Sequence, residues 1–194
     1  ATASPGAWGL SLDPFNWKAS KDADVFVEVI VDRAGGLVTG VSYGGKPVPQ
    51  TALVYPNNDQ SKGKLYRFRL PKGGTGIELP VVISTTGSAW YMATAYSVKD
   101  VHKVGPLQVV YGNSKAPSQL PTSPPGYVVI QSFAASNAAG PVYQQVKSGG
   151  GSLRFTGHLP SIDLMISSDN VGGTTFAATA GSANNWVGLA QAIS

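Results

Sequence analysis

Alternation with a period of two is the feature that most constrains this chain. In DVFVEVIVD (24–32), Val25, Val27, Val29 and Val31 fall on one face. KLYRFRL (64–70) sets Tyr66, Phe68 and Leu70 against Leu65, Arg67 and Arg69, and GIELPVVIS (76–84) groups Ile77, Leu79, Val81 and Ile83. AWYMATAYSV (89–98) sets Trp90, Met92, Thr94 and Tyr96 against Tyr91, Ala93 and Ala95. Such alternation is the mark of a β-strand. Further strands are predicted at 37–43, 50–55, 106–111, 127–133, 152–156, 162–168, 174–180 and 185–193. Between them stand GG, PNND, PKGG, TTGS, SPPG and SGGG, which are turn sequences.

Short strands at this spacing predict an all-β fold, a jelly-roll-like or Ig-like β-sandwich of about ten to twelve short strands with little helix. No segment keeps a helical period over ten residues, and 96–104 (YSVKDVHKV) is the best place for a single helical turn. Composition agrees. Charged residues make up only 12% against 42% hydrophobic, with 24 Gly and 14 Pro. Disorder goes with the opposite balance. The expected organisation is one sandwich domain over 1–194, with an N-terminal arm (about 1–22) and a Pro/Ser-rich connection at 112–126.

The stretch GVSYG (40–44) matches G-x-S-x-G, the nucleophile elbow of α/β-hydrolases, and Asp100 and His158 follow in that family's chain order. The elbow needs a strand that turns directly into a helix. Here Pro47 and Pro49 follow, and proline inside a helix costs about 3 kcal/mol. Gly44-Gly45 instead suits a two-residue hairpin turn with positive φ. Ser42 is therefore read as a strand residue. Glu28 and Glu78, the two glutamates, each fall within a predicted strand and do not suggest the facing carboxylate pair of a glycosidase. The chain is read as non-enzymatic.

There is no cysteine, which excludes disulfides and thiolate metal sites. His102 and His158 are too few for a histidine metal centre. Asp22, Asp24, Asp32 and Asp59 lack the spacing of a calcium loop. No cofactor or metal is expected. No apolar run approaches the ~20 residues of a membrane helix. The start ATASPG fits removal of an initiator Met or cleavage of an export signal. Net charge is +4, with Lys62, Lys64, Arg67, Arg69 and Lys72 clustered. So small an excess does not suit nucleic-acid binding.

Two groups stand out as contact candidates. Trp8, Phe15 and Trp17 load the N-terminal arm with aromatics that cap the sandwich or reach a neighbouring subunit. Arg67 and Arg69 share one face of a predicted strand, with Lys64 at its start, and this basic group is read either as a solvated outer surface or as a charged protein contact.

The run 37–101 resembles a β-sandwich module of bacteriophage virion proteins and bacterial surface proteins. The resemblance rests on VTGVSYGGKPV, PNNDQSKG, LYRFRLPKGG, GIELPVVIST and AWYMATAYSVKDV, together with the closing NNWVGLAQAIS. These stretches cover about half of the chain. The resemblance implies a structural or adhesive role without catalytic residues. The expectation is a virion protein, a capsid-decorating or tail component, that forms a homo-oligomer and contacts a capsid or tail protein. The alternative is a secreted, extracellular carbohydrate-binding or adhesion module with a glycan as partner.

Overall fold

In the computed structural model, Gly44 (φ 56°) and Gly45 (φ 78°) turn the chain between Tyr43 and Lys46. Both glycines sit in the left-handed region that a two-residue hairpin requires. GVSYG is thus a strand entering a hairpin, as its sequence predicts. The structure describes residues 2–3, 7–9, 12–32, 35–136, 144–145, 151–159, 161–169 and 173–194; of 2–3, 7–9 and 144–145 it describes the backbone alone.

The first half of the chain contains β1 (Thr2–Ala3), β2 (Ala7–Gly9), β3 (Phe15–Lys18), β4 (Asp24–Val31), β5 (Leu37–Tyr43), β6 (Lys46–Pro47), β7 (Gln50–Val54), β8 (Lys64–Leu70), β9 (Glu78–Thr86) and β10 (Tyr91–Val98). These form an inner sheet, β1-β10-β4-β8-β7 with β2 also on β10, and an outer sheet, β3-β9-β5-β6. The second half contains β11 (Val104–Ser114), β12 (Ser118–Gln119), β13 (Val128–Ser136), β14 (Gln144–Gln145), β15 (Ser152–Leu159), β16 (Ile162–Asp169), β17 (Phe176–Thr179) and β18 (Asn184–Ile193). Its inner sheet is β11-β18-β13-β16-β15 and its outer sheet β12-β17-β14. Every pairing is antiparallel.

The two halves follow one plan. Let β1/β2, β3, β4, β5, β6/β7, β8, β9 and β10 be the first to eighth positions, and β11 to β18 the same positions of the second half. Each inner sheet then runs first–eighth–third–sixth–fifth, and each outer sheet contains second–seventh–fourth. Successive strands wrap between two facing sheets in the manner of a jelly roll. The sequence predicts one sandwich; the strand pairing gives two, in tandem. The predicted connection 112–126 is largely taken up by the end of β11, β12 and the loop before β13.

The two inner sheets pack back to back, which makes four layers. The first core lies within the first sandwich, where Val25, Val27, Val29, Tyr66 and Phe68 meet Val41, Tyr43, Val81 and Ile83. The third lies within the second sandwich, where Phe133, Met165 and Trp186 meet Phe176 and Ala178. Between the sandwiches, Phe26, Ile30, Leu65, Met92 and Tyr96 meet Ile130, Leu164, Ile166 and Leu189. β4 and β10 are consequently buried along their whole length, on both faces.

Two local features depart from the sequence reading or bear on later argument. The helical turn expected within 96–104 does not form; short 3-10 turns occur instead at Pro56–Asn58 and Gln60–Lys62. The margins of the second inner sheet are irregular. On β11, Pro106 has no N–H to offer, and the Gln108 carbonyl accepts a bond from Gln119 Nε2 (2.9 Å). On β15, the register shifts between Leu153 and Phe155, and Arg154 Nε donates to Ser168 Oγ (2.8 Å).

Candidate functional site

The residues expected to make outside contacts are mostly occupied within the chain. Trp17 is buried in the first core, its ring 5.7 Å from that of Tyr43. Phe15 packs on the same core. β3 pairs with β9 as a regular member of the outer sheet, so this part of the arm packs at home. Trp8 lies opposite Met92 in β2, and its side chain falls outside the described residues.

The basic face corrects the sequence reading most. Alternation places Arg67 and Arg69 opposite Tyr66 and Phe68, as expected, but that second face is covered by the other sandwich. Arg67 is completely buried. Its Nε donates to Glu28 Oε1 (2.9 Å), and its NH2 lies 2.8 Å from the same oxygen. NH2 also donates to Ser132 Oγ (3.1 Å) and to the Leu189 carbonyl (3.3 Å). Glu28 Oε1 further accepts from Tyr96 OH (2.9 Å) and Ser132 Oγ (2.8 Å). Burial alone would lower the affinity of Arg67 for its proton, but Glu28 and Tyr96 together outweigh it and hold the guanidinium above its ordinary value. Burial also pushes the Tyr96 hydroxyl well above its usual range. Arg67 therefore meets neither solvent nor an outside partner; it joins the two halves of its own chain. Lys64 is likewise buried, and its Nζ donates to the Gly36 carbonyl (3.0 Å). Burial pulls its ammonium below the ordinary lysine value. Arg69 remains partly exposed, pairs with Asp24 (2.6 Å) and stands 6.0 Å over the Phe26 ring.

The elbow residues are not brought together. Ser42 belongs to the β5–β6 hairpin of the first outer sheet. His158, on β15, is bonded to Asp163 of β16, with Nδ1 and Oδ1 2.5 Å apart. Asp163 is fully buried, and burial raises its carboxyl to about 6 against the opposing pull of His158. Asp100 lines a separate hollow with Asp22, Lys72, Val101 and His102. The other acidic residues are engaged locally. Asp24 accepts from the Lys72 amide (2.8 Å), Asp32 from the Trp90 amide (3.0 Å) and Ser161 Oγ (2.8 Å), and Asp59 from the Ser61 amide (2.9 Å). Among the described residues, no three His, Asp or Glu gather as metal ligands would. Glu28 is sealed in the middle core and Glu78 is exposed on β9, so the two do not flank one cleft.

Two surfaces remain for binding. One is the outer face of the β3-β9-β5-β6 sheet, where Asn16, Leu37, Thr39, Pro80, Val82, Ser84 and Thr86 are exposed. The charged pair Lys18 and Glu78 lies opposite one another at one margin. The other is a groove of about 470 Å3 in the second sandwich, lined in part by Lys103, Pro106, Pro124 and Tyr127. Neither surface was singled out from the sequence. Exposed alternate residues of β9 carry no signal of their own, and the groove joins residues more than twenty positions apart.

No protein family, no curated protein and no solved structure matches this chain.

Proposed function

We propose that this chain is a non-enzymatic structural protein of a virus particle, a capsid-decorating or tail component that acts through assembly contacts. Its partners are copies of itself and a capsid or tail protein. The observation that carries the reading is the outer face of the β3-β9-β5-β6 sheet. It is nearly free of charge at its centre and presents Val82 and Leu37 among small polar residues. Depletion of charge at the centre with a polar rim is the anatomy of a protein contact. The jelly-roll wrapping, a fold used by capsid proteins and lectins alike, is compatible with it. The resemblance of 37–101 to virion sandwich modules supports the same reading. The contact surface shifts accordingly from Trp17 and Arg67, which are spent internally, to this sheet face.

Light scattering over a range of concentrations tests the proposal. Association that rises with concentration is expected, and Val82→Lys, at an exposed position, should return the protein to monomer without lowering its melting temperature. A strict monomer that also fails to bind particles lacking it would sink the reading.

A second reading, a carbohydrate-binding or adhesion module acting outside the cell, is favoured by the groove at Tyr127. Aromatic and proline surfaces beside a few polar groups form the usual lining of a small-ligand site.

A further inference from the structure

The groove is a built feature of the second sandwich. Gly105 and Ala192, from neighbouring strands, are among the residues that line it. A Cβ on Gly105 would stand 3.3 Å from the Ala192 carbonyl oxygen and 3.7 Å from its Cβ, so the two small residues meet closely here. Pro106 of β11 lines it together with Pro124 and Tyr127 from the segment before β13. The Tyr127 amide donates to the Pro124 carbonyl (3.3 Å), and the side chain packs on the third core, which fixes the ring at the groove.

The segment before β13 is clamped to β11. Gln108 Nε2 donates to the Thr122 carbonyl (2.7 Å), while Gln108 Oε1 accepts from the Thr122 amide (2.7 Å) and hydroxyl (3.0 Å). The Gln108 amide thereby holds the loop to β11 through three hydrogen bonds. Lys103 is the one charged residue among those lining the groove. Its backbone is paired with Ser194, its amide donating to the Ser194 carbonyl (3.1 Å) and its carbonyl accepting from the Ser194 amide (2.9 Å). The ammonium is therefore carried on a fixed Cα at the groove.

The equivalent end of the first sandwich is lined differently: a hollow there is bordered by Asp22, Lys72, Asp100, Val101 and His102. There the segment between the second and third strands, 19–23, is stitched to the loop after β8: the Asp22 amide donates to Gly74, the Gly74 amide to Ala23 and the Gly76 amide to Ala19 (2.8, 2.9 and 3.1 Å). A Cβ on Gly74 would lie 1.9 Å from the Ser20 carbonyl oxygen, so the two segments meet in direct backbone contact. In the second sandwich the equivalent segment, 120–127, folds onto β11 and leaves the groove beside it. The equivalent segments thus border differently lined hollows in the two copies, charged in the first and mostly apolar in the second.

We propose that this groove binds an acidic pyranose, a uronic-acid unit of a glycan, with the C–H face of the ring on Tyr127 and the two prolines and the carboxylate on the Lys103 ammonium. The assignment rests on the carbohydrate-binding reading and adds the charge of the sugar to it. The chemistry is complementary in both parts. Tyr127 and the two prolines suit the apolar face of a pyranose ring, and Lys103, the charged residue among the described residues that line the groove, favours an anion. The cavity falls within the ~300–1,000 Å3 typical of small-ligand sites.

The test is an amide-resolved NMR titration of the full chain with sodium glucuronate, methyl glucoside and sodium acetate in parallel, at low salt. Saturable shifts at Gly105, Thr122 and Tyr127 are expected with glucuronate, with an affinity roughly tenfold above that for the glucoside, the factor that one modest charge contact supplies. Lys103→Gln should erase the difference between the two sugars, and Tyr127→Ala should remove binding of both; dispersed spectra will show that each variant is folded. Equal binding of glucuronate and glucoside overturns the acidic assignment and leaves the carbohydrate reading standing. Equal shifts from acetate show a carboxylate site with no sugar recognition and overturn the proposal. Absence of saturable binding by either sugar overturns both it and the carbohydrate reading of this groove.

Discussion

Two charged side chains, Glu28 and Arg67, are completely buried, each between apolar neighbours on its strand. Buried separately, either would be severely destabilising; buried as neighbours they satisfy much of one another's need. That pairing was legible in part, because VFVEVIV and LYRFRL each hold a charge of opposite sign amid apolar residues. The sequence does not show Ser132 and Tyr96, whose hydroxyls complete the cluster from other strands. Arg67→Met should therefore destabilise the fold by about 3–5 kcal/mol, and adding Glu28→Met should recover most of the loss. Urea unfolding of the two variants beside the parent checks this. Asp163 makes a separate, pH-dependent prediction. The folded protein keeps a proton on this carboxyl up to about pH 6, whereas its ordinary value is 3.8. Between those limits the unfolded chain binds fewer protons, so stability should fall as pH rises from about 4 to about 6. Asp163→Asn should flatten that slope, read as unfolding midpoints at half-unit pH steps.

Elements were read well and their surroundings poorly. All of the predicted strands form, and those at 64–70 and 37–43 match their observed bounds. Alternation assigns each residue to a face but does not say what covers the face. Phe26 and Ile30 on one strand, and Met92 and Tyr96 on another, lie opposite the valines and alanines of the first core, and these are apolar too. A strand apolar on both sides is the signature of burial between two layers, and that signal was present in VFVEVIV. Two-residue strands such as β6 and β12 carry no pattern long enough to detect. The segment 96–104 holds spaced valines that imitate a helical turn, but Val98 ends one strand and Val104 starts the next. The tandem plan leaves little trace in the residues. Gly-Ser-Ala precedes the eighth strand of each half, at 87–89 and 181–183, and so short a match carries no weight beside strands that differ at nearly every position.

At the scale of the whole molecule, the middle core decides how the halves behave. Residues on both sides of the 99–103 connection fill it, and the Glu28–Arg67–Ser132 cluster crosses it. Separating the sandwiches would expose Phe26, Ile30, Ile130 and Ile166 to water, at about 1.5–3 kcal/mol for each such side chain. Calorimetry of the full chain should accordingly show one cooperative transition. Two resolved transitions would mean that the sandwiches melt independently and that the shared core contributes little. The irregular margins of the second inner sheet have a consequence at this scale as well. A strand edge with every N–H and C=O open is a template on which another chain can add itself without limit. Pro106, the occupied Gln108 carbonyl and the displaced register at Arg154 interrupt that template on both sides. At the second inner sheet, therefore, a further strand that tries to extend the layer meets a broken row at either margin, and stacking of copies edge to edge is disfavoured there.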